Sequence, residues 1–150
     1  MESVTFPKDE VVNFVMKNFV PLRLAHDTQP HATDFNVKWT PTIVILDSRG
    51  KEHHRIVGFM RGDEFIPFLI LGMGKIHYDN GEYEVAINYF NQVLQDYPNS
   101  GSAPEAVFLR GVSSFKKTNE TEPLKETYKL LTEKYPDSDW TKRAFPYSLL

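Results

Sequence analysis

The side chains that could do chemistry here are five histidines and their acidic neighbours, because the chain of 150 residues contains no cysteine. That composition excludes disulfides, thiolate metal sites and any thiol nucleophile or redox pair within these residues. His26, Asp27 and His31 fall in one polar segment, where two imidazoles and a carboxylate could in principle meet a divalent ion. We interpret this segment as a solvated loop and predict no metal and no cofactor.

The remaining histidines and glycines give no catalytic pattern. His53 and His54 are adjacent on a predicted strand, so their side chains point to opposite faces and do not share an ion. Gly72 and Gly74 fall inside a predicted helix and not in a loop after a strand, which indicates helix packing and no dinucleotide site. We therefore predict no catalytic residue, and we expect these residues by themselves not to form an enzyme.

The composition is that of a soluble globular protein, with 41% hydrophobic and 25% charged residues. The longest nearly apolar run, Phe65–Met73, is far shorter than the roughly 20 residues that span a bilayer. A net charge of −3 gives no electrostatic reason to expect nucleic acid or an anionic membrane as a partner. The first residues lack the basic start and apolar stretch of a secretory signal, which predicts a cytoplasmic protein.

The elements of the first half predict an α/β arrangement. A helix is expected to begin near Pro7 and end near Asn18, and alternating apolar residues predict a strand over Phe19–Ala25. A short helical turn capped by Thr33 follows.

A β-hairpin is predicted next along the chain. The β-branched run Thr42–Leu46 predicts a strand covered on both faces, the turn sequence Asp47–Gly50 ends it, and Glu52–Phe59 returns as an antiparallel partner. Together with the helices on either side, the hairpin predicts an α/β sheet.

One stretch carries a specific resemblance. The run Phe35–Asp47, centred on Trp39-Thr40-Pro41-Thr42, resembles the C-terminal two-thirds of a thioredoxin-fold domain when taken with Gly50 and Val57–Phe59. The resemblance implies that Pro41 follows a cis peptide bond and faces the place of the redox dithiol. It also implies that Trp39, Thr40 and Pro41 form the wall that faces a substrate.

The same resemblance implies that the chain is N-terminally truncated relative to the family. The central strand and the Cys-x-x-Cys helix start would precede Met1–Phe6. We expect either that the two flanking strands, Phe19–Ala25 and Thr42–Asp47, pair directly, or that another chain fills the gap, because unpaired sheet edges invite pairing.

The second half is predicted to be helical throughout. Helices are expected from Asp63 (kinked or divided by Pro67), over Tyr83–Tyr97, Pro104–Lys117 and Thr121–Lys134, and over Asp139–Phe145. The pattern repeats: Gly74 and Gly111 are 37 residues apart, and Tyr97-Pro98 and Tyr135-Pro136 are 38 apart.

The first of these units resembles a tetratricopeptide repeat. The residues that carry the resemblance are Ile70, Gly74, Tyr78, Gly81, Tyr83, Ala86, Phe90 and Pro98. The second unit is degenerate, because Leu124 stands where a small alanine is expected. We predict two helical hairpins followed by a capping helix that carries Trp140.

The resemblance implies a concave surface lined by the first helix of each hairpin, which would take an extended or helical segment of a partner. The residues placed on it are Phe68, Leu71, Lys75, Tyr78, Asp79, Glu105, Phe108, Val112, Phe115 and Lys116. The alternative is that the apolar members pack against the adjoining domain or the last helix.

The predicted fold class is therefore α/β followed by all-α. Residues 1–62 would form an incomplete thioredoxin-like domain, with its final helix running to about residue 72, and residues 63–150 the tetratricopeptide-like part. The leading hypothesis is a non-catalytic protein-interaction module that binds a protein or peptide. The rival hypothesis is a thiol–disulfide oxidoreductase whose dithiol lies upstream of Met1. A homodimer, through the open sheet edge or the repeat surface, is a third interpretation.

Overall fold

The structure is a computed structural model that describes residue 1 and residues 3–150. Its Cα positions divide into two compact units, Met1–Ile66 and Pro67–Leu150. The elements in chain order are α1 (Asp9–Asn18), α2 (His31–Asp34), β1 (Thr42–Leu46), β2 (Glu52–Val57), α3 (Gly62–Asp79), α4 (Tyr83–Asp96), α5 (Ala103–Thr118), α6 (Glu122–Lys134), α7 (Asp139–Ala144) and a 3₁₀ helix over Phe145–Leu149. The incomplete α/β part followed by helices is confirmed.

Helix α1 begins and ends where its sequence predicts. Asp9 and Glu10 occupy its first turn, where their negative charges interact favourably with the positive end of the helix dipole. Val11 is buried, and the Asn18 side-chain amide donates to the Phe14 carbonyl oxygen at 2.8 Å. The backbone then turns extended at Phe19, which ends the helix.

The sheet consists of one antiparallel hairpin. Within the described residues β1 pairs only with β2, from Thr42 opposite Val57 to Leu46 opposite Glu52, with an irregularity after Ile45. The connecting turn depends on Asp47, whose Oδ1 accepts from the backbone N–H groups of Arg49 and Lys51, both at 2.9 Å. Strand β2 is two residues shorter than the predicted Glu52–Phe59.

The strand predicted over Phe19–Ala25 is wrong, since none of these described residues belongs to the sheet. Residues 20–25 are all exposed. The alternating pattern that suggested a strand is present, but a strand needs a neighbour for its backbone groups, and this segment has none in the sheet. The expected direct pairing of this segment with Thr42–Asp47 is therefore also wrong.

Two smaller corrections concern helix boundaries. Helix α2 starts at His31 with Pro30 at its N-cap, so Thr33 lies inside the helix and does not cap it; its hydroxyl donates to Gln29 Oε1 at 2.7 Å. Pro67 does not divide α3, which is one continuous helix over Gly62–Asp79. The Pro67 side chain is fully buried, and this packing offsets the loss of the backbone hydrogen bond that a proline cannot donate.

The second unit repeats the same packing twice. An added Cβ on Gly74 would lie 2.5 Å from Cε1 of Phe90, and one on Gly111 would lie 1.8 Å from Oγ1 of Thr127. Both glycines therefore let two helices approach closely, at the same 16-residue spacing.

The ends of the two hairpins also match each other. Tyr97 and Tyr135 end α4 and α6 with nearly the same backbone angles, φ −136° and ψ 50° and 52°. The second hairpin closes on a small core formed by Val107, Leu131 and Ala144. The second helices of the two hairpins thus end with nearly the same backbone geometry.

Candidate functional site

An ion pair joins the first helices of the two hairpins. Lys75 on α3 donates from Nζ to Oε1 of Glu105 on α5 at 2.8 Å. The side chains are 24% and 16% exposed, so the pair is partly desolvated yet reachable from solvent. Two residues that the sequence placed on the concave surface are thus brought together across neighbouring helices.

Tyr78 lies one turn further along α3. Its ring meets that of Tyr83 edge to face, with ring centroids 5.9 Å apart. Burial raises the pKa of the Tyr78 hydroxyl, and Tyr83 and Asp79 raise it further. Tyr78 is half-buried and Asp79 is exposed at the end of the helix. The neutral phenol can therefore donate a hydrogen bond to a ligand through the physiological range.

Phe108 on α5 is covered by the C-terminal elements. Its ring centroid lies 5.1 Å from that of Trp140 and 5.6 Å from that of Tyr147, with which it stacks. This contact corresponds to the alternative interpretation, in which apolar residues of the first helices pack against the last helix. Phe108 nevertheless stays half-buried and not fully enclosed.

The other residues placed on this surface differ in exposure. Phe115 is half-buried and Lys116 is exposed, about two turns after Phe108 on α5, whereas Phe68 and Leu71 of α3 are buried. We use the name first-helix surface for the members that solvent reaches, which are Lys75, Tyr78, Asp79, Glu105, Phe108, Val112, Phe115 and Lys116.

Trp140 and Tyr147 are the residues whose place beside this surface the sequence reasoning missed. The sequence assigned Trp140 to a capping helix and gave Tyr147 no role. Their seven-residue spacing, which equals about two turns of an α-helix, was the sequence signal that the two side chains could lie on the same side. The guanidinium of Arg143 also lies 4.7 Å from the centre of the Trp140 ring and adds a cation–π contact.

A second candidate region lies in the first unit, at Trp39, Thr40 and Pro41. The Thr40–Pro41 peptide bond is cis, as the thioredoxin resemblance implies. Trp39 is 70% exposed. Beside it lies a shallow pocket of about 240 Å³, lined by His26, Val37, Lys38, Trp39 and Thr40.

Backbone contacts hold this region against β1. Gly58 N–H donates to the Pro41 carbonyl oxygen at 2.8 Å, and the Thr42 hydroxyl donates to the Trp39 carbonyl oxygen at 2.6 Å. The strand start is thereby fixed, while the Trp39 side chain is left in solvent.

The carboxylate of Asp47 and the imidazole of His53 contact each other and stabilise the hairpin. Oδ2 of Asp47 lies 3.3 Å from Nε2 of His53, and both side chains are almost fully buried. Hydrogen bonds from the backbone of Lys51 and Arg49, together with His53 and the Arg49 side chain, hold the pKa of the Asp47 carboxyl well below its usual range. No group of three or more metal-ligating side chains gathers within residues 1 and 3–150.

Comparisons with known proteins agree with this description. Residues 1–71 match the family model for a thioredoxin-like domain, and residues 69–100 match that for a tetratricopeptide repeat. The searches of curated proteins and of solved structures found no match. Within the described part of the chain, no helix has both the length and the apolar character needed to cross a bilayer. The chain therefore joins a thioredoxin-like domain to a tetratricopeptide repeat.

Proposed function

We propose that the chain is a non-catalytic protein-interaction module whose first-helix surface binds a segment of a partner protein. The observation that carries this proposal is the Lys75–Glu105 pair, which links consecutive first helices beside the half-buried rings of Tyr78 and Phe108. Aromatic side chains with a polar rim are typical of protein interfaces. The match to a tetratricopeptide repeat supports the same function, since such repeats generally bind other proteins.

The chemistry of the surface indicates what a partner segment would supply. An apolar or aromatic side chain would pack on Tyr78 and Phe108, and a hydrogen-bond acceptor would meet the Tyr78 hydroxyl. Lys75 and Glu105 can each exchange part of their mutual contact for a partner's charge, because both remain partly exposed.

The test is selection of short random peptides on the immobilised full chain, followed by calorimetric titration of the selected peptides. We expect Tyr78→Ala and Glu105→Ala each to weaken binding by at least about tenfold. Lys129→Ala, an exposed change on the second helix α6, is the matched control and should leave the affinity unchanged. Failure to select any peptide, or equal affinities for all variants, would overturn the proposal.

A thiol–disulfide oxidoreductase is the second candidate, with the repeats recruiting its clients. It is supported by the thioredoxin-like match and by the pocket beside the exposed Trp39. The chain as printed contains no thiol, so an insulin-reduction assay should give only the background rate. An in-frame Cys-x-x-Cys in the codons before Met1 would support this candidate over the first. The cytoplasmic location stays a prediction from the sequence.

A further inference from the structure

One side chain of the 3₁₀ helix Phe145–Leu149 lies on the first-helix surface. The ring of Tyr147 stacks on that of Phe108, with centroids 5.6 Å apart and 25° between the ring planes. A stacked ring covers the face of its neighbour, so a ligand cannot reach this face of Phe108 while Tyr147 is in place. We call the space against this face the aromatic subsite. In the structure it is filled by a residue of the same chain.

Tyr147 also approaches the second aromatic residue of that surface, Tyr78. Burial raises the pKa of the Tyr147 phenol, and its interaction with the Tyr78 phenol raises it further. Both hydroxyl groups are therefore protonated at neutral pH and can donate hydrogen bonds. Tyr147 thus presents a ring to Phe108 and a polar group to Tyr78, which are the contacts that the proposed function assigns to a partner.

The segment that carries Tyr147 is held by few contacts. None of the residues Phe145–Leu149 is buried, and Phe145 and Leu149 are 55% and 76% exposed. A 3₁₀ helix has poorer hydrogen-bond geometry than an α-helix, and Pro146 contributes no backbone donor. Segments with little buried apolar surface open locally at a low free-energy cost. We therefore expect this segment to open while the two hairpins stay folded.

Opening of the segment leaves the other cover of Phe108 in place. Trp140 lies on α7, before the segment in the chain, and its ring centroid is 5.1 Å from that of Phe108. Thr141 on the same helix is buried and donates to the Tyr135 carbonyl oxygen at 2.6 Å, which fixes α7 to the end of α6. The aromatic subsite therefore keeps a fixed aromatic wall when Tyr147 leaves it.

We propose that Tyr147 is an internal ligand of the first-helix surface, and that a partner binds by displacing it with a tyrosine of its own. The inference rests on the proposed function and adds the chemistry of the partner, which is a segment whose phenol takes the place of Tyr147 between Phe108 and Tyr78. The two tyrosines compete for one face of one ring. The affinity for a partner is therefore reduced by the fraction of time that Tyr147 occupies the subsite.

The first experiment is a calorimetric titration of the full chain with a synthetic peptide that has the sequence of residues 144–149 and is blocked at both ends. We expect Tyr147→Ala to bind this peptide at least about tenfold more tightly than the unmodified chain, because its subsite is vacant. Replacing the tyrosine of the peptide by alanine should remove this gain. Leu149→Ala, at an exposed position of the same segment, is the matched control and should leave the affinity unchanged.

The direction of the change separates this inference from the proposed function. Equal or weaker binding by Tyr147→Ala would overturn the inference, because Tyr147 would then be part of the wall of the site and not its occupant. If Tyr78→Ala still weakens binding in that case, the first-helix surface remains the binding site and only the inference fails. Absence of binding to every variant would overturn both.

A second experiment uses the unmodified chain and so does not depend on the folding of a variant. Hydrogen exchange of the backbone amides of residues 147–149 is measured by mass spectrometry with and without saturating peptide. We expect the peptide to accelerate this exchange at least about threefold by releasing the segment, while exchange in α6 stays unchanged. Exchange that is unchanged or slower in residues 147–149 would overturn the inference.

Discussion

The Tyr135 hydroxyl donates to the Pro98 carbonyl oxygen at 2.7 Å, so that the end of the second hairpin is bonded to the end of the first. Both residues belong to the Tyr-Pro motifs that end α4 and α6. The motif therefore both ends a helix and connects successive hairpins. The backbone angles at Tyr97 and Tyr135, where α4 and α6 end, are nearly the same.

We predict that Tyr135→Phe lowers the free energy of unfolding by about 0.5–1.5 kcal/mol, because it removes this hydrogen bond and retains the ring. Urea denaturation followed by circular dichroism measures the change. Tyr89→Phe, at a half-buried ring that stacks on His77, is the matched control and should change stability by less than about 0.5 kcal/mol. Equal losses in the two variants would contradict the assigned role of the Tyr135 hydroxyl.

Gly111→Ala is predicted to destabilise the second hairpin by about 1–3 kcal/mol, since the new Cβ would overlap Oγ1 of Thr127. Thermal unfolding of the variant measures the loss. Adding Thr127→Ala removes the overlapping oxygen, so the double variant should regain part of the stability that Gly111→Ala loses. A double variant no more stable than Gly111→Ala alone would show that this overlap does not limit the packing.

The Lys75–Glu105 pair should have a measurable coupling energy. We predict a coupling of about 0.5–1 kcal/mol in a double-mutant cycle with Lys75→Ala and Glu105→Ala, because the pair is only partly exposed. The coupling should fall when the salt concentration is raised to about 1 M, where charges are screened over a few ångströms. A coupling of zero at low salt would contradict a formed pair in solution.

Asp47 should make the hairpin sensitive to acid. Its folded-state pKa lies below that of the unfolded chain, so its charged form stabilises the folded state above pH 4 or so, and this stabilisation is lost as the pH falls through and below that value. Urea denaturation at pH 7 and pH 3 measures the difference. Asp47→Asn cannot lose a charge and should reduce the acid sensitivity, whereas Asp27→Asn, at an exposed position between α1 and α2, should leave it unchanged. An equal acid effect in the Asp47 variant would contradict this assignment.

The helices and the β-hairpin could be predicted from the sequence because their hydrogen bonds are local. An α-helix bonds within itself and a hairpin to its immediate neighbour, so the periodicity of α4, α5 and α6 and the Asp47–Gly50 turn were enough to place them. The 37-residue spacing of Gly74 and Gly111 likewise predicted a repeated close approach of helices, and the positions of Phe90 and Thr127 bear this out.

Only the tertiary structure decided the features that depend on distant neighbours. The alternation over Phe19–Ala25 indicates a segment that could form a strand. Whether it pairs depends on which strand lies next to it in the fold, and a local pattern does not contain that information. The ion pair of Lys75 with Glu105 and the cover of Phe108 by Tyr147 likewise join residues about 30 to 40 positions apart. The sequence by itself determined the local elements and their repeat, because short-range hydrogen bonding fixes them; packing between elements determined which side chains remained available for a partner.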